Sequence, residues 1–277
     1  MIGRHDRDCA VGASPAARRE AGLKFIETPS PNFDDRALPI TMIVLHYTGM
    51  KDGASAIARL RDPEAKVSSH YLVEEDGTVL RMVAEDKRAW HAGRSHWRGI
   101  EDVNSASVGI EIVNPGHEFG YRPFPPEQIA SVVALVAEIK DRHEITRGNI
   151  VGHSDIAPTR KRDPGELFPW HELARRRLAL PRPTKNLMDP GWTEGGFCLA
   201  LERFGYDVEN RMAATMAFQR RFRPELVDGE VDAECRCILL ALLLPKPMGD
   251  DSRTRRSPLP EREGLGVGRP AFVASAP

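Results

Sequence analysis

Three residues far apart in the chain, His46, His153 and Asp163, carry side chains that suit a metal ion. Two imidazoles and a carboxylate can fill three corners of a zinc tetrahedron and leave the fourth to water, whose pKa such a metal lowers to about 7. His153 and Asp163 share one stretch, Ile150-Val-Gly-His-Ser-Asp-Ile-Ala-Pro-Thr-Arg-Lys-Arg-Asp-Pro-Gly165, in which a short apolar lead passes through Gly152 into a polar loop. A strand end that hands several ionisable side chains to a loop pinned by Pro and Gly is where rigid scaffolds present chemistry. Spacing alone does not decide the matter. No His-x-x-x-His pairing brings two ligands together locally, and the same residues fit two strand-end histidines and a surface aspartate.

Two further side chains extend the pattern. Glu111 stands inside the apolar run Ser107-Val-Gly-Ile-Glu-Ile-Val113, and a carboxylate in that company is costly unless it is paired or used. It suits a general base that takes a proton from water; the alternative is a buried acid paired with an arginine or lysine. Lys161 suits stabilisation of a developing oxyanion, and equally a solvated loop cation. Trp90 beside His91 suggests a flat, partly polar groove wall for a sugar or peptide, although a core tryptophan carries the same signature. His70, His91 and His96 are spare histidines that fit a polar rim or a satisfied core. His143 closes a helix, where a cation suits the dipole. A cysteine nucleophile has no support, because none of the four cysteines lies near a polar loop.

The elements that must position these groups can be read in order. Pro39-Ile-Thr-Met-Ile-Val-Leu-His46 is a continuous apolar run, as a strand covered on both faces requires, and His46 stands at its end. A short helix over 54–60 precedes a hairpin over 69–83, whose Asp76-Gly77 supplies the positive φ of a tight turn. Pro126 opens an amphipathic helix with Ile129, Val132, Val133, Val136 and Ile139 on one face, ending near His143. Strand 150–152 returns to the sheet and a short helix follows over 171–180. Residues 1–37 read as an extended arm with little regular structure. Residues 181–191 read as a linker, 192–245 as three helices near the lower size limit for a free-standing core, and 246–277 as a disordered tail.

Composition narrows the class. At 277 residues, with 41% hydrophobic and 29% charged residues, the chain is that of a soluble globular protein. A net charge of -1, from 39 basic and 40 acidic residues, excludes a nucleic-acid footprint. No apolar run has the length of a transmembrane helix. Cys9, Cys198, Cys235 and Cys237 form no C-x-x-C pair and read as free thiols of a reducing compartment. The first residues lack the apolar segment of a secretory signal, so a cytoplasmic protein is expected, or a periplasmic one if the start is misassigned or export is unconventional; a monomer is expected as well.

Five segments, in order, give a family resemblance: Val44-Leu-His46-Tyr-Thr, Ser69-His70-Tyr, Ala89-Trp-His-Ala-Gly93, Val108-Gly-Ile-Glu111-Ile, and Gly152-His153-Ser-Asp155-Ile-Ala-Pro158 through Gly165. Over residues 38–180 the chain resembles the AmpD/AmiD group of N-acetylmuramoyl-L-alanine amidases. The resemblance implies an α/β domain, a mixed β-sheet flanked by helices, with one zinc held by His46, His153 and Asp163. It implies that Glu111 is the catalytic acid/base and that Lys161 stabilises the tetrahedral intermediate. It also implies a groove for peptidoglycan or muropeptide lined by Trp90 and His91, to which His70 and Asn104 are assigned as well. Phe204-Gly-Tyr206, Ala217-Phe-Gln-Arg-Arg-Phe-Arg-Pro224 and Asp228-Gly-Glu-Val-Asp232 resemble the three-helix peptidoglycan-binding domain that follows the catalytic domain in AmiD-like enzymes. AmiD-type enzymes are exported lipoproteins and AmpD-type enzymes are cytosolic, so the chain combines marks of both. Two other readings share the groove: a non-catalytic peptidoglycan sensor, whose mark would be loss of a ligand or of Glu111, and a zinc peptidase acting on the stem peptide.

Overall fold

The computed structural model describes residues 23, 25–184 and 187–244, so the expected tail and most of the expected arm lie outside the described residues. The strands are β1 (Phe25–Glu27), β2 (Phe33–Asp35), β3 (Met42–Tyr47), β4 (Tyr71–Val73), β5 (Val79–Arg81), β6 (Lys87–Ala89), β7 (Ser107–Ile112) and β8 (Ile150–Gly152). The helices are α1 (Gly53–Arg61), α2 (Val103–Ala106), α3 (Gly116–Phe119), α4 (Pro126–Arg142), α5 (His153–Ile156), α6 (Trp170–Arg175), α7 (Glu194–Phe204), α8 (Arg211–Phe222) and α9 (Ala233–Leu243). A mixed sheet in the order β1-β5-β4-β7-β3-β8 is flanked by helices, as expected, and β2 pairs with β6 in a separate antiparallel ribbon. β3 lies between β7 and β8 and is parallel to both, so all three strands end at one edge.

Period-two alternation sorts the strand residues between two faces. Ile43, Leu45, Val108, Ile110 and Ile112 point into a core completed by Ile129, Val132, Val133, Val136 and Ile139 of α4, the face read from the helical spacing. Met42 and Val44 point the other way, into a cluster that contains Trp97, Val151, Phe197, Tyr206, Phe218 and Leu239. The three C-terminal helices therefore do not rest on a core of their own. They complete it against the sheet, and the described residues up to Leu243 form one compact unit. Cys235 lies in that shared core, and Cys198 is buried as well. None of the helices described is long and apolar enough to cross a membrane.

The hairpin forms as read, with Gly77 at φ +84 and β4 antiparallel to β5. The described part of the arm departs from expectation, since β1 pairs with β5 and β2 with β6. Strands of three residues with half-exposed side chains leave no alternation to detect; backbone pairing, and Phe25 packed on Tyr71 at 6.1 Å, hold β1 in place. The helix expected over 171–180 stops at Arg175, and the chain turns through Arg177 at φ +58 before burying Leu178 and Ala179.

A half-buried acid ties the end of α4 to the sheet. The Glu85 carboxylate accepts from Tyr71 Oη at 2.7 Å and from Arg142 at 2.9 and 3.1 Å, and His143 Nε2 lies 2.6 Å away. Burial alone would raise this carboxyl, but the hydrogen bonds from Arg142, His143 and Tyr71 outweigh it and hold it at about 2. A carboxyl lowered in the folded state stabilises fully above its unfolded value of 4.5 and loses that contribution as pH falls toward 2. Glu85→Gln should lower the unfolding free energy by about 2 kcal/mol at neutral pH, a figure discounted for the half-exposed Arg142. Urea unfolding repeated near pH 3 should show less than half that penalty; an equal penalty at both pH values would mean that the charge contributes nothing.

Candidate active site

The edge where β3, β7 and β8 end is where the ionisable groups collect. His46 on β3 is in register with Glu111 on β7, and Leu45 with Gly152 on β8. β8 runs directly into α5, whose first residue is His153. Asp163 is brought back by a backbone bond, Ser154 N–H to Asp163 O at 2.9 Å. A Cβ on Gly152 would lie 2.6 Å from Pro164 Cδ, so only glycine lets the residue after Asp163 pack there. As a result His46 Nδ1, His153 Nδ1 and Asp163 Oδ2 stand 2.9, 3.0 and 3.1 Å apart, all three residues being buried.

The outer nitrogens fix what the inner ones offer. His153 Nε2 faces Ala92 O at 3.1 Å; a carbonyl only accepts, so Nε2 carries the proton and Nδ1 a lone pair. For His46 the assignment runs through three groups. Ser107 Oγ donates to Val103 O at 2.5 Å and so accepts from His91 Nε2 at 3.3 Å. His91 Nδ1 is then the acceptor for His46 Nε2–H at 3.1 Å, which leaves His46 Nδ1 bare as well. Burial, with His153 close by, lowers His46 to about 4, so it is neutral at pH 7. Two lone pairs and a carboxylate oxygen directed at one another repel, and a cation among them reverses the sign. These residues can hold a metal ion.

Local sequence explains how the ring of His91 fits. A Cβ at Gly109 on β7 would lie 2.5 Å from His91 Cγ, so glycine at that strand position gives the imidazole its seat behind His46. Two residues on, Glu111 is half-buried at the same face, and its Oε2 has no hydrogen-bond partner among the described residues. Burial, reinforced by the Asp163 charge, raises this carboxyl well above its usual range, while Lys161 acts in the opposite direction. His46, Glu111, His153, Lys161 and Asp163 line one cleft of about 900 Å³, with Arg59, Arg160 and Arg162 on its walls.

The expected groove residues are placed differently. Trp90 turns to the small ribbon, donating from Nε1 to Asp34 Oδ2 at 2.7 Å, and does not line the cleft. His70 is fully buried, accepting Gly109 N–H at Nδ1 and facing Lys87 O from Nε2. Asn104 is buried and its Oδ1 accepts the backbone N–H groups of His91 and Ala92 at 3.0 and 2.7 Å. His70 and Asn104 are used up in satisfying buried backbone, as buried polar groups must be. His91 alone of the four reaches the cleft, and it does so as the buttress of His46. The sequence reading passes over a second cleft group: Tyr47 Oη lies 2.8 Å from His117 Nδ1, and His117 Nε2 lies 3.1 Å from Glu166 Oε1. Tyr47 could be suspected from its place after His46, whereas nothing local marks His117.

The family model of N-acetylmuramoyl-L-alanine amidase matches residues 36–166. The amidase AmiD of Escherichia coli is 37% identical over 240 residues, spanning 74% of this chain and 82% of its own length. The 1,6-anhydro-N-acetylmuramyl-L-alanine amidase AmpD of Haemophilus influenzae is 35% identical over 161 residues, 51% of this chain and 85% of its own. The solved complex of E. coli AmiD with anhydro-N-acetylmuramic acid-L-Ala-D-gamma-Glu-L-Lys superposes with a TM-score of 0.67 at 36% identity, covering 76% of this chain and 91% of that one. Matched along most of a curated relative as well as in fold, the chain belongs to the N-acetylmuramoyl-L-alanine amidase family.

Proposed function

We propose that this chain is a zinc amidase that hydrolyses the amide between the lactyl group of N-acetylmuramic acid, or its anhydro form, and L-alanine. The observation that carries the reading is the triad of electron pairs converging in one cleft beside Glu111, whose Oε2 has no partner among the described residues. Two imidazoles and one carboxylate suit zinc, which when held by His46, His153 and Asp163 would polarise the scissile carbonyl and acidify water. Glu111 takes the proton from the attacking water and delivers it to the leaving amine, a task that suits a half-buried carboxyl with a raised pKa. Lys161 supplies positive charge where the oxyanion develops. Arg59, Arg160 and Arg162 give the cleft a cationic wall that complements the carboxylates of a stem peptide.

The names of the relatives support the same substrate class, since AmpD is described as an anhydro-muramyl amidase and AmiD is solved with an anhydro-muramyl peptide. A binding-only role is not favoured, because His46, Glu111, His153 and Asp163 are all present and gathered at one edge. The free thiols Cys198, Cys235 and Cys237 support a reducing compartment, hence the cytoplasm.

Mass spectrometry of anhydro-muropeptide incubated with zinc-loaded protein should show free peptide plus sugar, and none after chelation. Intact substrate with and without zinc would sink the amidase, and cuts within the peptide would establish a peptidase. Glu111→Gln should retain bound zinc and lose on the order of 10²–10⁴ in kcat; near-normal turnover would remove its role as base. His91→Leu strands the His46 Nε2–H and should weaken zinc binding by about 10-fold or more, read by chelator competition, an unchanged dissociation constant being the contrary result.

A further inference from the structure

The C-terminal helices reach the shell behind the metal ligands through the corner Phe204-Gly-Tyr206. Gly205 takes φ +141, and a Cβ there would lie 2.6 Å from Arg98 Cγ. Arg98 grips the corner in return, donating from its backbone N–H to Gly205 O and from Nε to Phe204 O, both at 3.0 Å. Tyr206 is thereby fully buried, its ring edge-on to Trp97 with centroids 5.1 Å apart. Its hydroxyl donates to Asp155 Oδ1 at 2.6 Å. The second oxygen of the same carboxylate, Oδ2, accepts Gly152 N–H at 2.8 Å. From α8, Arg221 donates to Ile150 O at 3.2 Å and lies over the Trp170 ring. The joint between β8 and α5 is thus held on both sides by groups from the C-terminal helices.

That joint is what aims the ligands. Gly152 precedes His153, and Ser154 in the same turn holds the backbone of Asp163. We propose that Tyr206 is a positioning residue for the metal centre, acting through Asp155 on the turn that aims His153 and Asp163. The inference rests on the zinc reading above. The helical module then sets metal affinity and turnover from within the chain, apart from any glycan it binds. Without the Tyr206 hydroxyl, Asp155 is a buried carboxylate short of a partner, and such a group turns to find another donor. Turning moves Oδ2 off Gly152 N–H and loosens the first residue of α5.

Tyr206→Phe removes only the hydroxyl and keeps the ring in its aromatic seat. Zinc affinity by chelator competition, the visible spectrum of the cobalt-loaded protein, kcat, KM and Tm should be measured together. Expected are a zinc dissociation constant raised by about 10-fold, a shifted cobalt spectrum, and a lower kcat at near-constant KM. In an Asp155→Asn background the same substitution should add less than about twofold, because both changes break one path. Wild-type zinc affinity, cobalt spectrum and kcat in Tyr206→Phe, even with a lowered Tm, would overturn the proposal and leave the tyrosine as packing. Full effects of both changes in combination would overturn the route through Asp155. Failure of the unaltered protein to hold zinc would instead refute the metal assignment and this inference with it.

Discussion

Holding two imidazole nitrogens and a carboxylate oxygen 2.9–3.1 Å apart with their electron pairs converging is unfavourable in the absence of a cation, and the fold is organised to bear it. Three parallel strands supply rigid, adjacent ends, so neither histidine can retreat along its own backbone. Each imidazole is also locked from behind, one by the carbonyl of Ala92 and the other by the His91–Ser107–Val103 chain. Such outer partners fix the ring orientation and tautomer of a ligand and raise its basicity. Rigidity is a condition of the chemistry here, because a site that could relax would gain energy by scattering its ligands.

The same logic explains the acid beside the site. Glu111 Oε2 has no partner among the described residues and the carboxyl carries a raised pKa, whereas Glu85, likewise half-buried, is satisfied by three residues and carries a lowered one. Burial acts in the same direction on both; the hydrogen-bond donors decide the outcome. A carboxyl left unsatisfied in a cleft is expensive to keep for structure alone, and so it marks function. The near-zero net charge of the chain conceals this local arrangement, since the cations around the cleft are offset by acids on other surfaces.

Strand ends were the legible part of the site. His46 and Glu111 announce themselves because a polar residue terminating or interrupting an apolar run is a local anomaly, and His153 and Asp163 because a Pro/Gly loop follows a short strand. Trp90, His70 and Asn104 do not line the cleft, because sequence shows that a polar side chain is present without showing which partner will claim it, the Asp34 carboxylate for Trp90 and backbone groups for the other two. Asn104 is the clearest instance: its carbonyl is consumed by two N–H groups in the segment that carries His91. The C-terminal helices were legible as helices, but their shared core was not, since an apolar helix face does not name the surface that will cover it. Strands of three residues, such as β1 and β2, lie below the length at which alternation can be read at all.

The core shared between the sheet and the C-terminal helices also sets the order in which the chain can be assembled. His46 lies 107 residues before His153 and 117 before Asp163, and Phe218 and Leu239, which cover the same face of the sheet, come later still. At a translation rate of roughly 5–20 residues per second the interval between His46 and α8 leaving the ribosome is on the order of ten seconds. Until α8 and α9 are made, the face of β3 that carries Met42 and Val44 lacks Phe218 and Leu239 of its cover, and contacts so distant in sequence are slow to close. The cluster of His46, His153 and Asp163 is thus complete in sequence before the helices that cover the sheet behind it are made.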